Sequence, residues 1–320
     1  MKVVLYICMI QTDKFRLFTG GIYGEKDISE KILMDYNDVF ADIINVCVFH
    51  GEDIVNPYDL VNTAVYSQYK AEDGRLHEEE RDVAKYWKKK RTTIAMYGIE
   101  NQSTIDKYMP FRIIGYDGAA YRSQLLQGKK KIVPVASFVL YFGTKRRWVK
   151  KKHIKDLMQM PEGLDEYVND YKINVIEVAW LTEEQLKRFK SDFGIVANFF
   201  VQRRRKKNYI PDDEREFQHV DVVLKLLSVM TGDNSYEEIL YDNRNGKKVE
   251  VKTMCEVAER LKKMGLLEGK EAGLREGKEA GLREERVRTI KKMLGKGLDM
   301  EKISDILELS LEEVKALAEK

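Results

Sequence analysis

Residues 93–103 read TIAMYGIENQS, an apolar run that stops on Glu100, Asn101 and Gln102. Ile94, Ala95, Met96, Tyr97 and Ile99 suit a half-buried strand over 93–100. A carboxylate and two carboxamides at the edge of a core are unfavourable unless something there needs them. Side chains alternate along a strand, so Glu100 and Gln102 share one face and Asn101 takes the other. Asp82 stands earlier, in ERDVAKYW, at the edge of another short strand, and neighbouring strands would bring Asp82 and Glu100 beneath one surface. Two carboxylates there are the hard oxygen ligands that Mg²⁺ takes together with waters and a substrate phosphate. A metal so held lowers the pKa of bound water and stabilises charge on a displaced phosphodiester oxygen. The same acids also admit a structural reading, with Asp82 paired to Arg81 or Lys85 and Glu100 paired to Arg112.

The flanking segments place this strand in a mixed α/β domain. Residues 29–49 carry Ile32, Leu33, Tyr36, Val39, Phe40, Ile43 and Ile44 at helical spacing, with Ser29 as N-cap. A second helical stretch is expected over 58–70, after Pro57. Short strands are expected around Arg81-Asp82-Val83, in the long apolar run 131–143 and over 171–181, with a helix from Gly115 to Leu126. Thr182-Glu183-Glu184 opens a further helix, and 219–230 is another. Helices covering a sheet is the resulting architecture.

Beyond about residue 262 the composition changes. Two copies of EGKEAGLR fill 268–283, and Gly265, Gly269, Gly273, Gly277 and Gly281 recur every fourth residue. Each interior glycine weakens a helix by about 1 kcal/mol relative to alanine, so 263–285 reads as a Gly-containing repeat helix or semi-flexible linker. Residues 286–320 form a small helical module, with Asp299 and Ser310 as N-caps and Ser310 with Glu313 as a capping box. Its outline is helix-turn-helix, but Glu312, Glu313 and Glu319 against Lys315 and Lys320 favour packing or partner binding over entry into a DNA groove.

With 43% hydrophobic and 10% aromatic residues, the chain has enough apolar material for a true core. Its 56 Lys+Arg nearly balance 53 Asp+Glu, yet basic runs recur at 85–91, 129–131, 145–152 and 203–207. Such blocks commonly meet nucleic acid, although each alone is often a solvated face. Lys85, Lys88, Lys89, Lys90 and Arg91, with Lys145, Arg146 and Arg147, are therefore candidates to grip DNA phosphates without reading bases. Cys8, Cys47 and Cys255 form no close pair, which excludes a disulfide scaffold or a cysteine zinc site and fits a reducing cytoplasm. The four histidines are equally dispersed. The apolar run near the amino terminus is too short to span a bilayer and lacks a cleavage site, so 1–24 reads as an extension rather than a signal peptide. No membrane association is expected.

An Asp followed by an E-x-K or E-x-Q strand and then a helix resembles the PD-(D/E)XK nuclease pattern. YNDVFADIIN, EERDVAK, GIENQS, DKYMPFRIIGYDGAAYRSQL, PVASFVLYFG, RRW and KSDFGIVANFFVQ, in that order, look like its recombination-promoting nuclease and transposase-like branch. The likeness covers about 25–262, and a tail of EG-rich repeats is familiar from that branch. It implies a restriction-endonuclease-like core, a central mixed sheet flanked by helices, and Mg²⁺-dependent DNA cleavage, with Mn²⁺ as a substitute. By the resemblance Asp82 and Glu100 are the metal ligands, and Gln102 stands where lysine is usual. Gln102 can orient a water but brings no positive charge, and no proline precedes Asp82. A helix carboxylate often assists in such folds, and Asp38 is chosen for that role ahead of Asp42. A decoy exists in Pro211-Asp212 with Glu250-Val251-Lys252, which matches the motif's letters but lies in a polar stretch. The sequence thus points to a DNA endonuclease, with an inactive nuclease-fold DNA-binding or assembly protein as the alternative. Association of copies through the carboxy-terminal helices is a further expectation.

Overall fold

The computed structural model describes residues 33–63, 66–70, 76–90, 92–128, 131–206, 209–241 and 248–319. Ser29, Arg91 and the extension 1–24 lie outside them. The chain divides into two units, 1–258 and 259–320.

In the first unit, helix α1 (Asn37–Cys47) buries Val39, Phe40, Ile43 and Ile44 and leads to β1 (Leu60–Asn62). A separate antiparallel pair follows, β2 (Tyr66–Lys70) with β3 (Leu76–Glu80). Then come β4 (Val83–Lys89), β5 (Thr92–Gln102), helix α2 (Met109–Leu126), β6 (Val135–Tyr141) and β7 (Asn174–Glu177). The main sheet has the order β1-β4-β5-β6-β7. Its first two pairings are antiparallel and its last two parallel, so the sheet is mixed. Parallel neighbours need a long crossover, and α2 supplies it between β5 and β6.

Both faces of the sheet are covered. On the α2 side, Met109, Ile113 and Tyr116 pack with Val139, Tyr141, Trp148 and Ile173, and Ala120 packs with Ala84 and Met96. After α3 (Glu183–Arg188), which Thr182 starts with a capping box, α4 (Phe193–Arg205) buries an aromatic row. Phe193 and Phe200 meet Phe142 edge-on at 6.5 and 5.3 Å between centroids. Each fully buried aromatic of this kind stabilises the fold by about 1.5–3 kcal/mol. Helices α5 (Val220–Thr231) and α6 (Ser235–Glu238) complete the unit. This is the α/β core with flanking helices that the sequence foreshadows.

The expected helix over 58–70 is not formed. Pro57 starts only a 3₁₀ turn, capped where the Asn56 carboxamide oxygen accepts from the Tyr58 N–H, and the chain then enters β1 and β2. Val61 pairs in register with Tyr86, and the non-local β4 edge satisfies the backbone in place of a helix. The helix expected from Gly115 begins earlier, at Met109, with Pro110 in its first turn, where a missing N–H does no harm.

Helix α7 (Met254–Gly295) runs continuously through the glycine repeats, so the sequence adopts helix there and not a break. Glu271 stands four residues before Arg275, and Glu279 four before Arg283, the orientation that favours helix. In the second unit α8 (Met300–Leu307) and α9 (Leu311–Ala318) follow, with Ile290, Ile303 and Val314 forming a small core. The Asp299 carboxylate accepts the Lys302 N–H, and Ser310 and Glu313 form the reciprocal capping box. No helix among the described residues is long and apolar enough to cross a membrane.

Candidate functional site

The antiparallel register places Val83 opposite Ile99, so Asp82, at the entry to β4, comes to lie beside Glu100 near the end of β5. The two acids are clasped by a crossed pair of hydrogen bonds. The Asp82 N–H donates to Glu100 Oε1 at 3.2 Å, and the Asn101 N–H donates to Asp82 Oδ2 at 2.9 Å. Glu100 is 1% exposed, whereas Asp82 is half-buried. From the first turn of α2, Arg112 Nη2 lies 3.1 Å from Glu100 Oε2 and 3.3 Å from the Tyr116 hydroxyl, and its Nη1 lies 3.7 Å from Asp106. Burial, and then the charge of Asp82, push the Glu100 carboxyl up to about 8, with Arg112 and Arg81 pulling the other way.

A buried network holds this arrangement from the α2 side. Arg81, 2% exposed, pairs with Asp117 of α2 at 2.6 Å. Asp117 also accepts from the Ser137 and Tyr171 hydroxyls, so its charge is fully occupied. Gly98 makes room for the guanidinium, since a Cβ there would lie 2.5 Å from Arg81 Cζ. Nε and Nη1 of Arg81 are buried with no hydrogen-bond partner, leaving a positive charge close to Glu100.

Gln102 is half-buried, and its carbonyl accepts the Phe142 N–H at 2.8 Å, tying the end of β5 to the chain leaving β6. Asn101 turns its side chain to the opposite face, as expected from strand alternation, where both amide atoms are buried and unpartnered. Lys85 is a correction. It is fully buried, its Nζ donating to the Asp35 carbonyl at 2.7 Å, to Asn37 Oδ1 at 2.8 Å and to the Asn62 carboxamide, so it grips no DNA. Strand β4 lies between β1 and β5, and its inward positions are core whatever their residue type.

The other cations diverge. Lys88 is half-buried, and Lys89 and Lys90 are exposed at the turn between β4 and β5. Lys145 and Arg146 are exposed beyond β6, while Arg147 is held by Glu177 at 2.6 Å and lies over Trp180. Asp38 pairs with His219 Nε2 at 3.0 Å and does not join the acid pair. Asp42 accepts from the backbone and hydroxyl of Ser191. In the decoy, Glu250 is exposed, 3.5 Å from Lys252, and Asp212 accepts from the Tyr209 hydroxyl, with neither in a strand.

Among the described residues no three His, Cys, Asp or Glu side chains converge into a metal cage. The donor set fits the other mode of Mg²⁺ binding, in which one or two carboxylates share the ion with waters and substrate oxygens. Two acids forced together, one pushed up to about 8, is also the electrostatic strain that a divalent ion relieves. The sequence alone offers Arg112 only as a structural partner for Glu100. A stronger signal is present in it: an arginine near the start of the helix that follows the E-x-Q strand.

A family model described as "Putative transposase, YhgA-like" matches residues 73–221, just under half of the 320. The match takes in both acids of the clasp and Gln102, and the chain is in that sense transposase-like. No curated protein matches the chain, and no solved structure does.

Proposed function

We propose that the chain is a divalent-metal-dependent DNA endonuclease of the recombination-promoting, transposase-like type. The observation that carries this reading is the Asp82–Glu100 clasp at the end of β5, lying within the transposase-like stretch. Asp82 and Glu100 would hold Mg²⁺, or Mn²⁺ in its place. When bound, the ion supplies Lewis-acid stabilisation of the phosphodiester and a more acidic water. Gln102, on the Glu100 face of β5, orients the attacking water with an amide that both donates and accepts. Arg112 supplies, from α2, the fixed positive charge that Gln102 lacks, and keeps Glu100 oriented. Lys88, Lys89, Lys90, Lys145 and Arg146 hold the DNA backbone in a sequence-independent way. The setting we infer is a reducing cytoplasm.

Purified protein with Mg²⁺ or Mn²⁺ is expected to convert supercoiled plasmid to nicked or linear DNA. Asp82→Asn and Glu100→Gln should each lower the rate at least about a hundredfold, and Arg112→Ala more than Arg112→Lys. Plasmid cleaved equally by the Asp82 and Glu100 variants would overturn the assignment. The neutral Gln102 favours a second reading, a nuclease-fold protein that binds DNA without cutting it. Metal-independent binding that weakens steeply with salt, with no cleavage in either metal, selects that one.

A further inference from the structure

Both oxygens of Glu100 are engaged within the clasp: Oε1 accepts the Asp82 N–H at 3.2 Å, and Oε2 accepts from Arg112 Nη2 at 3.1 Å. A guanidinium and a divalent ion on one carboxylate oxygen repel each other. The repulsion is stronger where water is scarce, as it is around a Glu100 side chain that is 1% exposed. Loading Glu100 with an ion therefore needs somewhere for the charge of Arg112 to go.

Asp106 offers that place. Its Oδ2 lies 3.7 Å from Arg112 Nη1, the nitrogen that Glu100 does not use. The Arg112 side chain is 34% exposed, so its head has room to shift, and a displacement of about 1 Å brings Nη1 to the charge-assisted distance of about 2.8 Å. Asp106 itself is held in place. Its Oδ1 accepts the Tyr108 N–H at 2.8 Å, and its carbonyl accepts the Met109 N–H at 3.3 Å, where α2 begins. The groups facing Arg112 are Glu100, Tyr116 and Asp106, so Asp106 is the second carboxylate able to take over its charge.

We propose that Asp106 is a positioning residue for the metal site: when a divalent ion binds Asp82 and Glu100, Arg112 passes from Glu100 to Asp106 and frees Oε2 for the ion. The inference rests on the metal reading of the clasp and adds a carboxylate that acts through Arg112 without touching the ion. Partners that orient a metal ligand commonly change metal affinity ten- to a hundredfold when they are removed, on the order expected here. After the shift Arg112 still stands at the start of α2, with its charge beside the site.

The test reads metal binding directly, with the full chain and no DNA, following free Mn²⁺ by electron paramagnetic resonance as protein is added. Glu100→Gln should abolish tight binding, which locates the ion at the clasp. Asp106→Asn keeps the Oδ1 acceptor for Tyr108 and loses the charge. It should weaken Mn²⁺ binding about tenfold or more, with Asp106→Glu closer to the wild type. In an Arg112→Ala background Asp106→Asn should change nothing, because no guanidinium is left to hold. An equal loss in both backgrounds would mean that Asp106 attracts the ion by its own charge, which overturns the proposal. Crystals soaked in Mn²⁺ should show Arg112 about 2.8 Å from Asp106 and no longer touching Glu100. An ion on Glu100 with Arg112 still at Oε2, or Asp106→Asn binding as tightly as the wild type, overturns the relay and leaves the metal reading standing. A wild-type chain that binds no Mn²⁺ overturns both.

Discussion

At the residue scale the decisive group is Glu100, a carboxyl buried beside another acid. Its folded pKa, about 8, lies above the 4.5 of the free side chain, so the folded state holds a proton that the unfolded chain releases in that window. The stability this confers is complete below pH 4.5 and is lost as pH rises through about 8. The groups facing Glu100 are Asp82, Arg112 and Arg81. The wild-type Tm, followed from pH 5 to pH 9, should therefore fall more steeply than that of Glu100→Gln, which is neutral throughout. Mg²⁺, by favouring the charged pair, should flatten the wild-type slope and leave the variant's alone. Parallel curves with and without Mg²⁺ would remove the electrostatic argument for a metal at this pair. Glu100 itself is legible in the sequence, since a carboxylate closing an apolar strand is anomalous on its face. Lys85 is not: it sits in a basic run that reads as solvated, and only the distant Asp35, Asn37 and Asn62 make its burial tolerable.

At the element scale β5 does the positioning, and its pattern alone is enough to recognise it. Its partner β4 is harder to delimit, because four of its seven residues, VAKYWKK, are lysine or tyrosine and only pairing on both edges makes it a core strand. The 58–70 stretch misleads for the same reason, the deciding hydrogen bonds being non-local. Arg112 reads from sequence only as a partner for Glu100, because α2 starts at Met109, six residues before the helix the sequence advertises. Where β5 passes under Arg81, Gly98 carries the fit. Gly98→Ala would set a methyl 2.5 Å from Cζ and 2.7 Å from Cδ of a guanidinium that is 2% exposed and cannot swing aside. Arg81 must then leave Asp117, and breaking a buried ion pair costs about 3–5 kcal/mol. Urea denaturation should show a loss of at least about 3 kcal/mol, whereas Gly118→Ala, which meets nothing inside helix α2, should instead stabilise by about 1 kcal/mol. A midpoint for Gly98→Ala equal to the wild type's would mean that the Arg81–Asp117 network does not brace β5.

At the scale of the whole molecule the proposed nuclease raises the question of how one clasp could serve a double-strand break, which needs two. Helix α7 leaves Leu266, Leu267, Leu274 and Leu282 exposed. Leu267, Leu274 and Leu282 are seven and eight residues apart, close to two helical turns each, so they share one face. The glycines between them meet nothing within 4 Å, but at about 100° per residue Gly269 and Gly273 fall on the far side of the helix, so the leucines alone define that face. A solvent-exposed leucine row on a long helix is unfavourable alone and is relieved by pairing with its own copy, whose symmetry makes the patch self-complementary. Full-length protein should therefore sediment above its 37.4 kDa chain mass at micromolar concentration. Leu267→Glu with Leu274→Glu and Leu282→Glu should return it to 37.4 kDa, because like charges would then face each other along the seam. The same triple variant should still nick plasmid, since Asp82 and Glu100 lie in the first unit, but should produce linear DNA more slowly. A wild-type chain that sediments as a monomer would remove the leucine row as a self-association surface.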